Sequence, residues 1–452
     1  MAAEPAPLLS LRGWSLARRG TGGATALLAG LDLTLRPGDW VAVAGANGSG
    51  KSSLLSFLAG PESPLRVPAA LLPQDPDDQF VAATVGGELA LGREGGAPAA
   101  PPGFGLEGRL DSDPRLLSAG QKQRLALAIA LGTRPRVLLC DEPTALQDAR
   151  QAAWVLDRLD AWRRESGGAL LTATCDRREA ERADRLLVLA DGRVAAAGPP
   201  GELLGGDACR DLFAAEGPAG LRGNAGVTAR ARAAAGPAAR DAPVLALRGV
   251  ACRFGDGGGF AGVDLELAPG ARLGVCGDNG CGKSTLLAAC AGARRPDAGE
   301  VRLGGRALYA RGALDTGHGL ALLAPQFPEY LFSRSRVAAE IAADPALADV
   351  SPGDFLAGLG LPGDLADCHP RDLSSGQRRR LALGLVLRSG RALLLVDEPT
   401  VALDGPGRRL VRELLAATPP QAAVVVASHD HRFLEAIGCE IRELGPRGLG
   451  SA

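Results

Sequence analysis

The sequence predicts an α/β protein built as two tandem copies of one domain, and three observations carry that prediction. Leu31-Asp-Leu-Thr-Leu-Arg-Pro-Gly-Asp-Trp-Val-Ala-Val-Ala-Gly45 matches Val263-Asp-Leu-Glu-Leu-Ala-Pro-Gly-Ala-Arg-Leu-Gly-Val-Cys-Gly277. Both stretches show an alternating strand, a Pro-Gly turn and a second apolar strand running into a glycine loop. Each copy then carries G-x-x-x-x-G-K-[ST] ahead of an apolar helix start. Further on, each has an apolar run ending in Asp-Glu, the pattern of a buried parallel strand that delivers two carboxylates at its C-terminal edge. A period of about 230 to 256 residues is too long for a solenoid and means duplicated domains. The boundaries fall at residues 1–221 for the first copy, 222–242 for a linker rich in Ala, Gly and Arg, and 243–452 for the second.

The offset between copies varies along the chain. It is 232 residues at Lys51 and Lys283, but 256 at Ser118 and Ser374 and again at Glu142 and Glu398. The first copy is therefore 24 residues shorter between these landmarks, and 20 of them are missing between Lys51 and Gln74.

Composition excludes several classes. A net charge of -1 gives no general attraction to nucleic acid or to an acidic membrane surface. No apolar run reaches the roughly 18 to 20 residues of a membrane span, and the N-terminus lacks the pattern of a signal peptide. Nine cysteines without a CxxC pair argue against a disulfide scaffold and a zinc site. These features predict a protein of a reducing, cytoplasmic compartment. Only three lysines occur, Lys51, Lys122 and Lys283, and arginine supplies the remaining basic residues.

Two of those lysines sit in the glycine loops. In Gly45-Ala-Asn47-Gly48-Ser-Gly50-Lys51-Ser52-Ser53 and Gly277-Asp-Asn279-Gly280-Cys-Gly282-Lys283-Ser284-Thr285, the glycines let backbone N–H groups wrap phosphates at a helix N-terminus. Lysine supplies a compact charge for the β- and γ-phosphates, and Ser52 and Ser284 offer hydroxyls to Mg²⁺. The strand ends are Arg136-Val-Leu-Leu-Cys-Asp141-Glu142 and Ala392-Leu-Leu-Leu-Val-Asp397-Glu398. Their position predicts aspartates that bind Mg²⁺ through water and glutamates that polarise the attacking water. Before each lies Leu117-Ser118-Ala-Gly120-Gln121 or Leu373-Ser374-Ser-Gly376-Gln377, opening a helical pattern. Alone this is an ordinary helix start with a serine N-cap. Between a phosphate loop and an Asp-Glu strand, the same residues are also poised to cradle a γ-phosphate.

Phosphate loop, Leu-Ser-x-Gly-Gln signature and Asp-Glu strand end, twice and in this order, resemble the ATPase domains of ABC transporters. The resemblance implies two tandem P-loop ATPase domains, each with a mainly parallel core sheet, an antiparallel β subdomain and a helical subdomain. It also implies ATP and Mg²⁺ as ligands, and head-to-tail pairing within the chain that sandwiches ATP between one phosphate loop and the other domain's signature. On the same basis Phe254 stacks on adenine, while Gln74 and Gln326 sense the γ-phosphate and join the Mg²⁺ shell. Val401-Ala-Leu-Asp404 forms an interdomain loop and His429 is the switch histidine. The first domain departs from this pattern. It has Arg18 at the aromatic position, Ala145-Leu-Gln-Asp148 at the loop and Cys175 at the histidine position. A thiol is a weak donor that cannot replace imidazole between γ-phosphate and glutamate. The expectation is one hydrolysing site, with Lys283, Glu398 and His429 facing Ser118 and Gly120, and one slow site with Lys51, Ser374 and Gly376.

Pro73-Gln74-Asp-Pro76-Asp77-Asp78-Gln79-Phe80 and Pro325-Gln326-Phe-Pro328-Glu329-Tyr330 resemble the matching segments of energy-coupling factor (ECF) transporter ATPases. This implies import of a vitamin or transition-metal ion with a transmembrane coupling protein and a substrate-binding membrane subunit, at the cytoplasmic face of the membrane. Residues 75–92 and 327–345 are then the docking surface. The rival classes are a soluble twin-ABC ATPase acting on ribosomes or DNA and a regulator that binds ATP without turnover. Low charge in the linker and near-zero net charge fit nucleic-acid binding poorly, and the complete second-domain set argues against the regulator. His318, His369 and His431 lack metal-ligand spacing, and Cys276 and Cys281 are read as packing residues.

Overall fold

The computed structural model describes residues 6–20, 23–91, 102–145, 147–210, 212–213, 243–254, 258–309, 319–401 and 403–451. The proposed linker 222–242 and His318 lie outside the described residues. Two compact units divide the chain: Met1–Ala215 with Ala402–Pro406, and Glu216–Val401 with Gly407–Ala452.

In the first unit, six strands form a sheet in the order Ala69–Leu72, Val137–Asp141, Ala169–Thr174, Trp40–Gly45, Arg185–Ala190, Arg193–Gly198. All neighbours are parallel except the last pair. Successive side chains of a strand point to opposite faces, and here both faces are covered. Trp40, Ala42, Leu138, Cys140 and Leu170 join one core, which also takes up Leu125 and Leu127 of the helix Ala119–Gly132. Val41, Val43, Leu139 and Leu171 join the other, with Leu54, Leu55 and Leu58 of the helix Lys51–Ala59. Burial on both sides is why these strands read as continuous apolar runs.

The second unit repeats the order with Ala321–Ala324, Leu393–Asp397, Ala423–Ala427, Arg272–Cys276, Glu440–Gly445 and Gly448–Ser451. The units differ in the antiparallel part. Among the described residues the first has two such strands, Leu9–Gly20 and Gly23–Leu35. The second has four, in the order Gly259–Leu267, Leu245–Arg253, Ala298–Leu303, Arg306–Ala307. The shortening between Lys51 and Gln74 thus falls where the second unit builds its last two antiparallel strands.

No helix among the described residues is long and apolar enough to cross a membrane. All nine cysteines are free, and no cluster of metal-ligating side chains occurs among the described residues.

Candidate functional site

Each central strand, Trp40–Gly45 and Arg272–Cys276, ends in a glycine loop that turns into a helix starting at the lysine. The turn needs glycine. Gly50 and Gly282 cap those helices at φ 100° and 109°, a left-handed region that side chains avoid. Neither cap carries a side chain, so the first N–H groups of each helix have no capping acceptor from that residue, which suits an anion. Lys51 Nζ donates to the carbonyls of Gly45 (2.7 Å) and Ala46 (3.2 Å). Lys283 repeats this with Gly277 (2.7 Å) and Asp278 (3.3 Å). Both lysines are buried, so the loops hold a desolvated cation in each unit.

Parallel pairing brings the acidic strand ends into the same neighbourhood. Asp397 bonds the Ser284 hydroxyl, Asp141 bonds that of Ser52, and burial raises both carboxyl pKa values, Asp397 to about 6. One oxygen of each, Asp141 Oδ1 and Asp397 Oδ1, is buried without a hydrogen-bond partner. An orphaned carboxylate oxygen beside a serine hydroxyl suits a hard divalent cation, so the residues fit Mg²⁺.

Glu142 and Glu398 adopt φ 47° and 45°. Such a conformation costs a non-glycine residue roughly 1–3 kcal/mol and persists only when the surroundings enforce it. The Glu142 N–H donates to Ala173 O (2.9 Å) and that of Glu398 to Ala427 O (2.8 Å), closing each turn on the adjacent strand. In the second unit Glu398 Oε2 accepts from Ser428 Oγ (3.4 Å) and lies 3.0 Å from His429 Nδ1, while Glu398 Oε1 is 3.9 Å from Lys283 Nζ. The ring nitrogen that meets Glu398 is Nδ1, which leaves Nε2 to face other groups. In the first unit Cys175 bonds Glu142, and its Sγ also lies 3.5 Å from Gly45 O and 3.7 Å from Asn47 Oδ1. Burial dominates there: Glu142 is pushed up to about 7 and the Cys175 thiol well above its usual range. A neutral thiol with one weak proton cannot bridge two anionic partners.

Phe254 stands beside the second phosphate loop, its ring carbon Cζ 3.0 Å from where a Cβ on Gly282 would be. Arg294 lies over the same ring at 5.7 Å. The side chain of Arg18 falls outside the described residues. Ser118 and Ser374 are engaged as N-caps of complete capping boxes, with Gln121 and Gln377 as the reciprocal partners. Gly120 and Gly376 lie in the first turn of those helices. Gln74 and Gln326 are half-buried ahead of the 3-10 turns Pro76–Gln79 and Pro328–Tyr330. The third lysine, Lys122, reaches across to Asp77 Oδ2 at 2.6 Å, tying the signature helix to the first of these turns. Asp148 accepts from Gln151 N at 2.8 Å as the N-cap of the helix Ala149–Ser166. His369 caps a 3-10 turn and His431 is exposed at a helix start, consistent with structural roles.

Several residues escaped the motif reading. Arg379 donates to Glu398 O (2.6 Å) and Gln326 O (2.9 Å), and burial lowers its pKa to about 10. Glu88 accepts from Val81 N and Ala82 N, both at 2.5 Å, and Glu340 accepts from Ser333 N and Arg334 N in the same way. A signal for the latter pair was present: the glutamates recur at the same 252-residue offset as Gln74 and Gln326.

The family model described as ABC transporter matches residues 28–81, 100–145 and 260–401. A putative ABC transporter ATP-binding protein of Streptomyces avermitilis is 33% identical, across 90% of this chain and 87% of that protein. An energy-coupling factor transporter ATP-binding protein, EcfA1 of Lactiplantibacillus plantarum, is 35% identical across 38% of this chain and 72% of its own length. Among solved structures, the complex of archaeal ribosomal stalk protein aP1 and the ribosome recycling factor aABCE1 shares the fold. It has a TM-score of 0.61 at 20% identity, covering 96% of this chain and 89% of that one.

Proposed function

The chain belongs to the ABC transporter family as two ATPase units fused in tandem, and from that premise we propose that its ATP hydrolysis drives import of a vitamin or transition-metal ion. It would do so as the energising subunit of an ECF-type transporter, with a transmembrane coupling protein and a substrate-binding membrane subunit as partners. Proteins of this family bind ATP with Mg²⁺ and hydrolyse it.

The observation that carries the transport reading is the paired segment after Gln74 and Gln326. In both units a proline-led 3-10 turn is followed by backbone stapled to a buried glutamate, Glu88 or Glu340. Each segment also holds a large apolar side chain in solvent: Val81 is 80% exposed and Tyr330 is 79% exposed. A rigid loop that displays an apolar side chain is suited to docking a partner. The local identity to an ECF ATPase supports the same partner class. The rival reading, a twin ATPase working on ribosomes or DNA, draws on likeness of fold to the ribosome recycling factor. Purification from native membranes separates the two. The transport reading expects co-purifying integral membrane proteins that are lost in a Val81→Asp, Tyr330→Asp variant. Co-sedimentation with ribosomes and no membrane partner would sink it.

The two units are assigned unequal work. In the second, Glu398 polarises the attacking water, Ser428 and His429 hold its carboxylate, and Lys283 stabilises phosphate charge. Mg²⁺, held through Asp397, Ser284 and Gln326, supplies charge neutralisation when bound. In the first, Lys51, Ser52, Gln74 and Asp141 keep the means to hold ATP and Mg²⁺. Cys175 stands where the second unit has its histidine, so the buried Glu142 lacks the imidazole that holds and orients the Glu398 carboxylate.

A further inference from the structure

The buried carboxyl of Glu179 belongs to none of the motifs above. It lies on the short helix Arg177–Arg182, is 1% exposed, and its Oε1 accepts from both the backbone N–H (3.1 Å) and the hydroxyl of Thr144. Its other oxygen, Oε2, is buried without a hydrogen-bond partner. Thr144 lies two residues beyond Glu142, and the helix carrying Glu179 starts two residues after Cys175. One side chain therefore joins the strained turn carrying Glu142 to the helix that follows the strand end carrying Cys175. The second unit holds the matching turn differently. There Arg379 joins the Glu398 carbonyl to the Gln326 carbonyl. At the offset of 256 that relates the signatures, Arg379 is replaced by Gln123, whose Nε2 donates to Pro143 O at 3.0 Å. At the offset of 254 that relates Cys175 to His429, Glu179 is replaced by the fully buried Phe433.

We infer that Glu179 is a positioning residue of the first nucleotide site, an acceptor that fixes the Glu142 turn to the helix Arg177–Arg182 of its own unit. The second unit ties its turn to the Gln326 segment, so its Glu398 is linked to the proposed docking loop. The first unit ties its turn inward, to the helix after the Cys175 strand end, which suits a site that holds nucleotide steadily. This rests on the reading that the first unit binds ATP.

The test uses the full chain with Lys283→Ala, which removes nucleotide binding at the second loop, and measures ATP affinity by calorimetry. Lys51→Ala added to that background defines zero binding at the first site. Glu179→Phe, the second unit's own residue, is expected to weaken ATP binding about tenfold, as for loss of an acceptor to buried donors. Glu179→Gln keeps an oxygen toward Thr144 and is expected to restore affinity to within about threefold. Should Glu179→Phe fail to fold, Thr144→Val removes the hydroxyl from the other end and is expected to give a similar loss. Unchanged affinity in Glu179→Phe and Thr144→Val overturns the inference and leaves the first site standing. Equal losses of affinity and melting temperature in Glu179→Phe and Glu179→Gln overturn it too, since Glu179 is then a packing residue. If Lys283→Ala alone leaves no binding that Lys51→Ala removes, the reading of the first site fails and the inference falls with it.

Discussion

In the second unit the carboxylate of Glu398 meets an imidazole nitrogen at 3.0 Å and a serine hydroxyl at 3.4 Å. In the first unit the equivalent Glu142 meets the thiol of Cys175 and is raised to about 7 by burial. Both glutamates sit on the same strand end, in the same strained backbone conformation, beside a lysine with the same carbonyl contacts. The scaffold was thus duplicated and kept, while the groups that touch the glutamate diverged. Backbone geometry at the glycine loop and the side chains that surround the glutamate are separable properties of one fold.

That comparison breaks if the units prove equal in turnover. Glu398→Gln is expected to lower steady-state ATP hydrolysis about a hundredfold or more, and Glu142→Gln to change it less than about threefold. Equal losses in a phosphate-release assay would end the asymmetry. A smaller effect sharpens its cause. His429→Cys, which copies the first unit's residue into the second, is expected to cost about 10- to 100-fold in turnover with little change in KM. Cys175→His in a Glu398→Gln background is expected to recover measurable hydrolysis from the first site. No gain there would mean that the lost strands or Arg18 also disable that unit.

Two weaker effects follow. Phe254→Ala is expected to raise KM for ATP roughly three- to tenfold while leaving kcat nearly unchanged, as for lost stacking on a base. The last concerns pH. Burial raises Glu179 from 4.5 to about 8, so the folded chain binds a proton there that the unfolded chain releases above about 4.5. The stabilisation is complete below the unfolded value and is lost as pH rises through 8. Asp176 and Glu142 are the neighbouring carboxylates that add to the rise. The nucleotide-free protein should therefore melt at lower temperature as pH goes from 5 to about 8.5, and Glu179→Gln should flatten that slope. A wild-type slope unchanged by the substitution would show that Glu179 is ionised throughout.

Much of this was legible before any coordinates. The phosphate loops, the strand ends Asp141-Glu142 and Asp397-Glu398 and the Cys175–His429 difference are signalled by neighbours in the chain: glycines that tolerate positive φ, and apolar runs long enough to be buried strands. In sequence the serines of the two signatures fit both a helix cap and a phosphate ligand, and the capping boxes show the first of these geometries. Lys122 is the one lysine of the three outside the glycine loops, and its partner Asp77 sits 45 residues earlier, where spacing carries no information. The same holds for Arg379 and Glu179, each an ordinary charged residue on a helix until the fold buries it.

The sequence by itself therefore determined the duplication, the α/β class, the glycine loops that turn into helices and the residues in which the copies differ, because these depend on short-range patterns and on comparing one half with the other. Only the tertiary structure decided how each strained glutamate is held. That depends on which side chain lies across a buried turn: an arginine from the signature helix in one unit, and a carboxyl beyond the switch position in the other. A buried polar group takes whatever partner the packing brings within hydrogen-bond reach, and sequence separations of 19 and 35 residues gave no warning of these two.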